Sequence, residues 1–318
     1  MTDWTHTAFL FPGQGSQEVG MGADLAAAYP AAREVFASAD ALLGIPLSRL
    51  CREGPAEALD DTINTQPALY VAGIATLRAL EAEIGPVTPA YVAGHSLGEL
   101  TALTAAGALP FEDGLRLVRT RGELMKLAGE QSPGAMAAIL GLPAETVHAI
   151  CQQASQETGG QLVLANNNCP GQIVISGDNQ ALERGLELAT AAGAKRAVRL
   201  AVSIAAHSPL MAPVQEKFRQ ALDSTTFHPP QVPVIGNISA TPLPDVAAIR
   251  RELGDQLTSP VRWTESIQAL QALGVTRYIE FGPKDVLCGL VRRIDREAER
   301  VALNGVEALQ AFLRSLDA

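Results

Sequence analysis

The sequence predicts an α/β protein, a parallel sheet covered on both faces by helices, with a smaller α+β unit inserted into it. Three observations carry this. Short apolar runs end in glycine loops and are followed by segments of helical period, the pattern of parallel strands with helical crossovers. Between Gly134 and Leu200 the order changes to strand, helix, strand, strand, helix, strand. The chain has 318 residues, 47% of them hydrophobic, which suffices for one large core and a second small one.

Taken in order, Thr7–Phe11 is an apolar strand broken by the loop Pro12-Gly-Gln-Gly-Ser-Gln17. That loop has neither phosphate-binding glycine pattern; it either presents backbone N–H groups to a ligand or simply turns the chain. Helical patterns span Tyr29–Leu43, closed by Gly44, and Thr65–Glu83, stopped by Gly85-Pro86. The run Ala90–Ala93 meets Gly94-His-Ser-Leu-Gly98, and a helical pattern resumes at Leu100. A helix is expected from Phe111 to Ala128. The inserted unit reads as strand Gly134–Leu140, helix Pro143–Thr158, strands Gln161–Ala165 and Gln172–Ser176 across the turn Asn168–Gly171, helix Asn179–Ala192 and strand Lys195–Leu200. This is the βαββαβ order of a ferredoxin-like arrangement. Its bounds are set at 131–201, within a larger unit of 1–130 plus 202–318. A strand-like run, 201–206, leads to His207. Helix Pro209–Leu222, strand Val232–Gly236, helices Val246–Leu257 and Trp263–Leu273, strand Thr276–Phe281, and helices Val286–Arg293 and Gly305–Leu316 complete the chain.

The net charge is −10 and no Lys/Arg run supplies a basic face, which argues against duplex nucleic acid as a partner. The four cysteines lie far apart and, like the five histidines, show no metal spacing. The expectation is no metal, no structural disulfide, and a reducing, cytoplasmic setting. Met1–Leu10 has no signal-peptide core, and no stretch approaches the ~20 apolar residues of a membrane span.

Ser96 stands at the turn between strand and helix, flanked by Gly94 and Gly98. Such a turn lifts a hydroxyl out of the sheet and aims the new helix's N–H groups at whatever it attacks; a plain helix-capping serine is the alternative. A serine nucleophile needs a base. His95 adjoins it, but successive residues at a strand end face opposite ways, so packing beneath the turn is its expected role. His6, His148 and His228 have no comparable placement. His207 lies at another strand-to-helix edge and is the candidate base, with a structural histidine as the equal alternative. Asp113 and Asp178 are the aspartates between Ser96 and His207, and neither is compelling as a third member; a dyad whose histidine is oriented by a backbone carbonyl or an amide is equally open.

Six segments occur in fixed order: Phe11–Gln17, Gly94-His-Ser-Leu-Gly-Glu99, Arg121-Gly-Glu-Leu-Met125, Asn168–Gly177, Ala206-His207 and Gln256-Leu-Thr-Ser-Pro-Val-Arg-Trp263. Together they resemble the malonyl-CoA:acyl carrier protein transacylase family, which also supplies acyltransferase domains to fatty-acid and polyketide synthases. The likeness runs from Thr7 to about Arg293. It implies an α/β-hydrolase-like large subdomain, Ser96 as nucleophile and His207 as base. It further implies that Gln256 orients His207 by backbone or side chain, that the N–H groups of Gln14 and Leu97 form an oxyanion hole, and that Asn168 lies near the site. Arg121 is either a surface arginine or, as the resemblance implies, the partner of a malonyl carboxylate. The implied substrate is malonyl-CoA, a coenzyme A thioester needing no cofactor. The implied partner is acyl carrier protein, and the implied state a monomer. Lys284, Arg292 and Arg293 are candidates for docking that acidic carrier, against the plainer reading of a solvated helix face. A polyketide acyltransferase acting in trans, a serine thioesterase or esterase, and a non-catalytic docking module are the competing readings.

Overall fold

The computed structural model describes residues 3–202 and 204–316. In chain order its elements are β1 (Thr7–Phe11), α1 (Ala23–Ala28), α2 (Pro30–Leu43), α3 (Leu47–Glu53), α4 (Ala56–Asp60), α5 (Thr62–Ile84), β2 (Tyr91–Gly94), α6 (Gly98–Ala105) and α7 (Phe111–Gln131). There follow β3 (Gly134–Leu140), α8 (Ala144–Thr158), β4 (Leu162–Cys169), β5 (Gln172–Asp178), α9 (Asn179–Ala191) and β6 (Arg196–Arg199). The chain closes with a 3₁₀ turn at Pro209–Met211, α10 (Ala212–Ser224), β7 (Val234–Ile235), α11 (Val246–Gln256), α12 (Trp263–Ala272), β8 (Arg277–Phe281), α13 (Val286–Ile294), β9 (Glu299–Leu303) and α14 (Val306–Leu316).

Two sheets organise these elements. Five parallel strands run in the order β7-β2-β1-β8-β9, and four antiparallel strands in the order β4-β5-β3-β6. All five residues of β1 are buried, as a central parallel strand covered on both faces requires. Its even and odd side chains enter different cores: Phe9 and Phe11 on one face, Ala8 and Leu10 on the other. The antiparallel sheet has its own core, where Ala135, Ala137, Ile139, Ile173 and Ile175 pack under α8 and α9. The alternate residues Met136, Ala138 and Val174 face the opposite way, toward the large sheet.

Strand β4 departs from simple alternation, and the departure matters. Its register shifts between Leu164 and Asn166. Leu162 and Leu164 pack with the small core, while Asn166 and Asn168, of the same parity, line the cavity on the other face. A bulge inserts one residue and so reverses the facing of the residues that follow it, here until a second shift between Asn167 and Cys169. The sequence predicts a strand only to Ala165; the observed one runs to Cys169. The backbone stays extended by pairing: Asn167 N–H donates to Val261 O at 2.9 Å and Val261 N–H to Ala165 O at 2.8 Å.

Other expectations also change. The strand-like run 201–206 forms no strand over its described residues; residue 203 lies outside them. Helices α1, α3 and α4 and strand β9 were not foreseen. The three helices are five to seven residues long, too short for a periodic signal. Strand β9, Glu-Arg-Val-Ala-Leu, is an edge strand whose charged end carries no apolar run.

Candidate active site

Ser96 joins β2 to α6 with a φ of 53°, a left-handed conformation that costs a non-glycine residue free energy. The surroundings hold it there. Ser96 N–H donates to Asn237 Oδ1 at 2.6 Å, and Asn237 Nδ2 donates to Gly94 O at 2.7 Å. His95 N–H donates to Phe11 O at 3.0 Å, tying the turn to β1. The flanking glycines are a steric requirement: a Cβ on Gly94 would overlap the Gly98 carbonyl, and one on Gly98 the Phe11 carbonyl.

His207 also has positive φ, 58°, and is buried. Its Nε2 lies 2.7 Å from Ser96 Oγ. Its Nδ1 lies 2.9 Å from Gln256 O and 3.1 Å from Ser259 O. Carbonyl oxygens only accept, so Nδ1 carries the hydrogen, and the Nε2 lone pair faces the serine hydroxyl. Burial first, and then the Arg121 charge, push His207 down to about 3. The imidazole is therefore neutral and free to accept a proton. Two backbone carbonyls stand where a triad would place a carboxylate. Asp113 instead pairs with Arg116 at 3.2 Å, and Asp178 accepts from Gln161 N–H at 2.5 Å.

Arg121 is not on the surface. It is 1% exposed on α7, with its guanidinium beside the serine. One terminal nitrogen donates to Ser96 Oγ at 3.1 Å and Gln256 Oε1 at 2.8 Å. The other donates to Gln66 Oε1 at 2.8 Å and Met125 Sδ at 3.3 Å. All four acceptors are neutral, and Nε has no partner. Burial pulls the group down to about 10, still cationic at neutral pH. The Gln256 carbonyl serves His207 while its side chain serves Arg121, so the sequence alternatives of backbone and side chain both apply, to different partners.

These groups open onto a cavity of about 300 Å³ between the two sheets. Its far wall is Met136, Ala138 and Val174 of the small sheet, with Leu200, Val202, Ile204 and Ala206 from the connection to His207. Gln14 and Leu97 line it too, and neither backbone N–H has a hydrogen-bond partner among the described residues. The Gln14 side chain accepts from Thr62 Oγ1 at 3.0 Å, which holds the glycine loop against α5. Asn168 lies at the end of β4, with Oδ1 2.8 Å from His95 Nε2. His95 is half-buried at the cavity edge against Trp263, ring centroids 5.4 Å apart, and not packed beneath the turn as expected.

The basic candidates are less uniform than their sequence suggested. Arg292 and Arg293 are exposed on α13, but Arg293 donates to Gln172 Oε1 at 2.8 Å and Pro170 O at 2.7 Å, bracing the β4–β5 turn. Lys284 is half-buried and donates to Gln17 O at 3.0 Å. Three site neighbours escaped sequence reasoning: Asn237, Gln66 and Glu99. Glu99 follows the glycine of a segment already singled out, and a carboxylate in a helix's first turn reads as an ordinary surface residue. In the structure it is fully buried. For Asn237 and Gln66 no local signal exists.

Comparison with known proteins shows the family and the fold. A family model described as an acyl transferase domain matches residues 8–306. The malonyl CoA-acyl carrier protein transacylase of Bacillus subtilis is 48% identical over 309 residues, covering 97% of this chain and 96% of the relative. An acyl carrier protein S-malonyltransferase structure from Vibrio cholerae superposes with a TM-score of 0.92 at 44% identity, covering 96% of this chain and 99% of that one. A malonyl-transacylase solved in complex with its type II polyketide synthase acyl carrier protein gives 0.93 at 42% identity, covering 97% and 99%.

Proposed function

The chain belongs to the acyl transferase domain family, and from that premise we propose that it transfers malonyl from malonyl-CoA to the phosphopantetheine thiol of acyl carrier protein, supplying extender units for fatty-acid synthesis. One observation carries the reading: a serine hydroxyl 2.7 Å from a neutral imidazole and 3.1 Å from a buried guanidinium. The first contact makes a nucleophile. The second suits an acyl group with a carboxylate one methylene beyond its carbonyl.

The reaction is a double displacement. His207 Nε2 takes the Ser96 proton as Oγ attacks the thioester carbonyl. Negative charge develops on that oxygen, and the free N–H groups of Leu97 and Gln14 face the same cavity; losing one such donor typically costs ~3–4 kcal/mol of barrier. His207 returns its proton to the departing CoA thiolate, leaving malonyl-Ser96. The carrier thiol then attacks the ester carbonyl, His207 taking its proton and passing it to Ser96 Oγ as the acyl C–Oγ bond breaks and malonyl-carrier leaves. The Gln256 and Ser259 carbonyls keep the hydrogen on Nδ1 through both halves. Arg121 exchanges its neutral acceptors for the malonyl carboxylate, a charge-assisted bidentate pair. Asn168, bonded to His95, borders the acyl site. No step calls on a cofactor or a metal.

The finer fold reading goes with this function: an α/β-hydrolase-like large subdomain, 1–130 plus 202–318, and a ferredoxin-like one, 131–201. The strand order β4-β5-β3-β6 supports the latter. Among the described residues no helix is long and apolar enough to cross a membrane, and a cytoplasmic monomer is the proposed state. The polyketide complex among the similar structures supports a second pathway, transfer to a polyketide carrier by the same chemistry.

The test is intact-mass analysis of enzyme mixed with malonyl-CoA. A malonyl adduct on Ser96 that moves to holo-carrier, and is missing from Ser96→Ala, is expected. Rapid release of free malonate without carrier would instead assign a thioesterase.

A further inference from the structure

Arg121 can only donate hydrogen bonds, and this sets the direction of every bond around it. On one side its donation to Gln66 Oε1 is followed by Gln66 Nε2 to Thr62 Oγ1 at 2.9 Å and Thr62 Oγ1 to Gln14 Oε1. On the other, its donation to Gln256 Oε1 is followed by Gln256 Nε2 to Ser96 O at 3.1 Å and to the Glu99 carboxylate. The second chain ends on a side chain with 0% exposure in the first turn of α6.

A glutamine amide fits its site in either of two orientations, and its partners decide which. Turned over, Gln256 would set its NH₂ against the guanidinium and its oxygen against two acceptors. Glu99 therefore opposes the turn from the end opposite Arg121. The nearby Arg121 charge favours an acid there, and burial works against it. Glu99 Oε1 has no hydrogen-bond partner, and a second buried carboxyl, Glu252, lies near enough to destabilise its charge. Burial and Glu252 push the Glu99 carboxyl up; a proton on the unpartnered Oε1 leaves Oε2 an acceptor all the same.

We propose that Glu99 is a positioning residue for acyl-group selection: its Oε2 locks the Gln256 amide with the carbonyl toward Arg121, and so holds the guanidinium beside Ser96, ready for a carboxylate. Glu99 touches no substrate and acts only through Gln256. The proposal rests on the reading of Arg121 as the partner of the malonyl carboxylate.

Three variants separate the possibilities: Glu99→Gln keeps an acceptor oxygen, Glu99→Asp withdraws it by one methylene, and Glu99→Leu removes it. The readout is the ratio of kcat/KM for malonyl-CoA to that for acetyl-CoA, from single-turnover acylation of Ser96. Glu99→Gln should keep the ratio within about threefold, while Asp and Leu lower it about tenfold, the scale of one buried hydrogen bond, through the malonyl value alone. A merely structural Glu99 would depress both substrates equally, and an unchanged ratio in Glu99→Asp overturns the proposal. If Glu99→Leu does not fold, Asp and Gln decide. Arg121→Ala, run alongside, separates the two readings. An unchanged ratio there removes the clamp itself; a collapsed ratio there with a normal one in Glu99→Asp removes only the role of Glu99.

Discussion

Replacing Arg121 by alanine should invert the enzyme's preference between two substrates that differ by one carboxylate. The guanidinium is buried, and the nitrogen that now reaches Ser96 Oγ and Gln256 Oε1 spends its donors on neutral oxygens. A malonyl carboxylate entering the cavity takes up those donors as charge-assisted bonds of roughly 1.5–3 kcal/mol each. Without the arginine, the carboxylate is buried beside the apolar Met136, Val174 and Ile204 with no counter-charge. Removing one partner of such a pair costs about 3–5 kcal/mol, a fall of roughly 10²- to 10⁴-fold in kcat/KM for malonyl-CoA. Acetyl-CoA has no charge to lose, and in the native enzyme it leaves the cation beside a methyl group. Its transfer should hold or rise. Arg121→Lys, a point charge without the planar fork, should recover only part of the malonyl rate. The assay is steady-state transfer from each acyl-CoA to holo-carrier, with the acyl-Ser96 intermediate followed by mass. Equal losses for the two substrates would refute the assignment.

The depressed His207 value, about 3, places the base in its working form throughout the neutral range. The kcat/KM for acylation should stay flat from about pH 8 down to about pH 5, and a fall centred near pH 6.5 would show an imidazole titrating normally. His207→Ala should abolish acylation while leaving Ser96 in place, and the missing malonyl adduct is the readout. Asn237→Ala removes the acceptor of Ser96 N–H and the donor to Gly94 O; urea unfolding should show a loss of about 2–3 kcal/mol together with a reduced acylation rate. Arg292→Glu should raise the apparent KM for carrier several-fold and spare loading from malonyl-CoA. Arg293→Glu should also slow loading, because its guanidinium braces the turn at Pro170.

The parts of this molecule legible in the sequence are those where one segment carries its own signal. Gly94–Gly98 announces a tight strand-to-helix turn, and the βαββαβ order reproduces the strands and helices from Gly134 to Arg199. Contacts between distant segments are not legible from spacing. Asn237 splints a turn far away in the chain, and the face presented by Asn166 and Asn168 depends on a bulge that period-two counting cannot anticipate. Arg121 shows the same limit from the other side. Midway along an amphipathic helix it looks like a solvated arginine, and only the family likeness pointed inward. No triad acid stands out in the sequence; His207 Nδ1 faces the Gln256 and Ser259 carbonyls, and carbonyls leave no trace in a residue alphabet.

The left-handed backbone at Ser96 and His207 carries an evolutionary consequence. Both positions favour glycine on conformational grounds, so the backbone alone gives no reason for a hydroxyl or an imidazole there. In a duplicated copy freed from selection for turnover, drift toward glycine at 96 or 207 would relieve the backbone while ending the chemistry. A glycine at either site in an otherwise intact paralogue is thus a mark of a retired enzyme that has kept its fold.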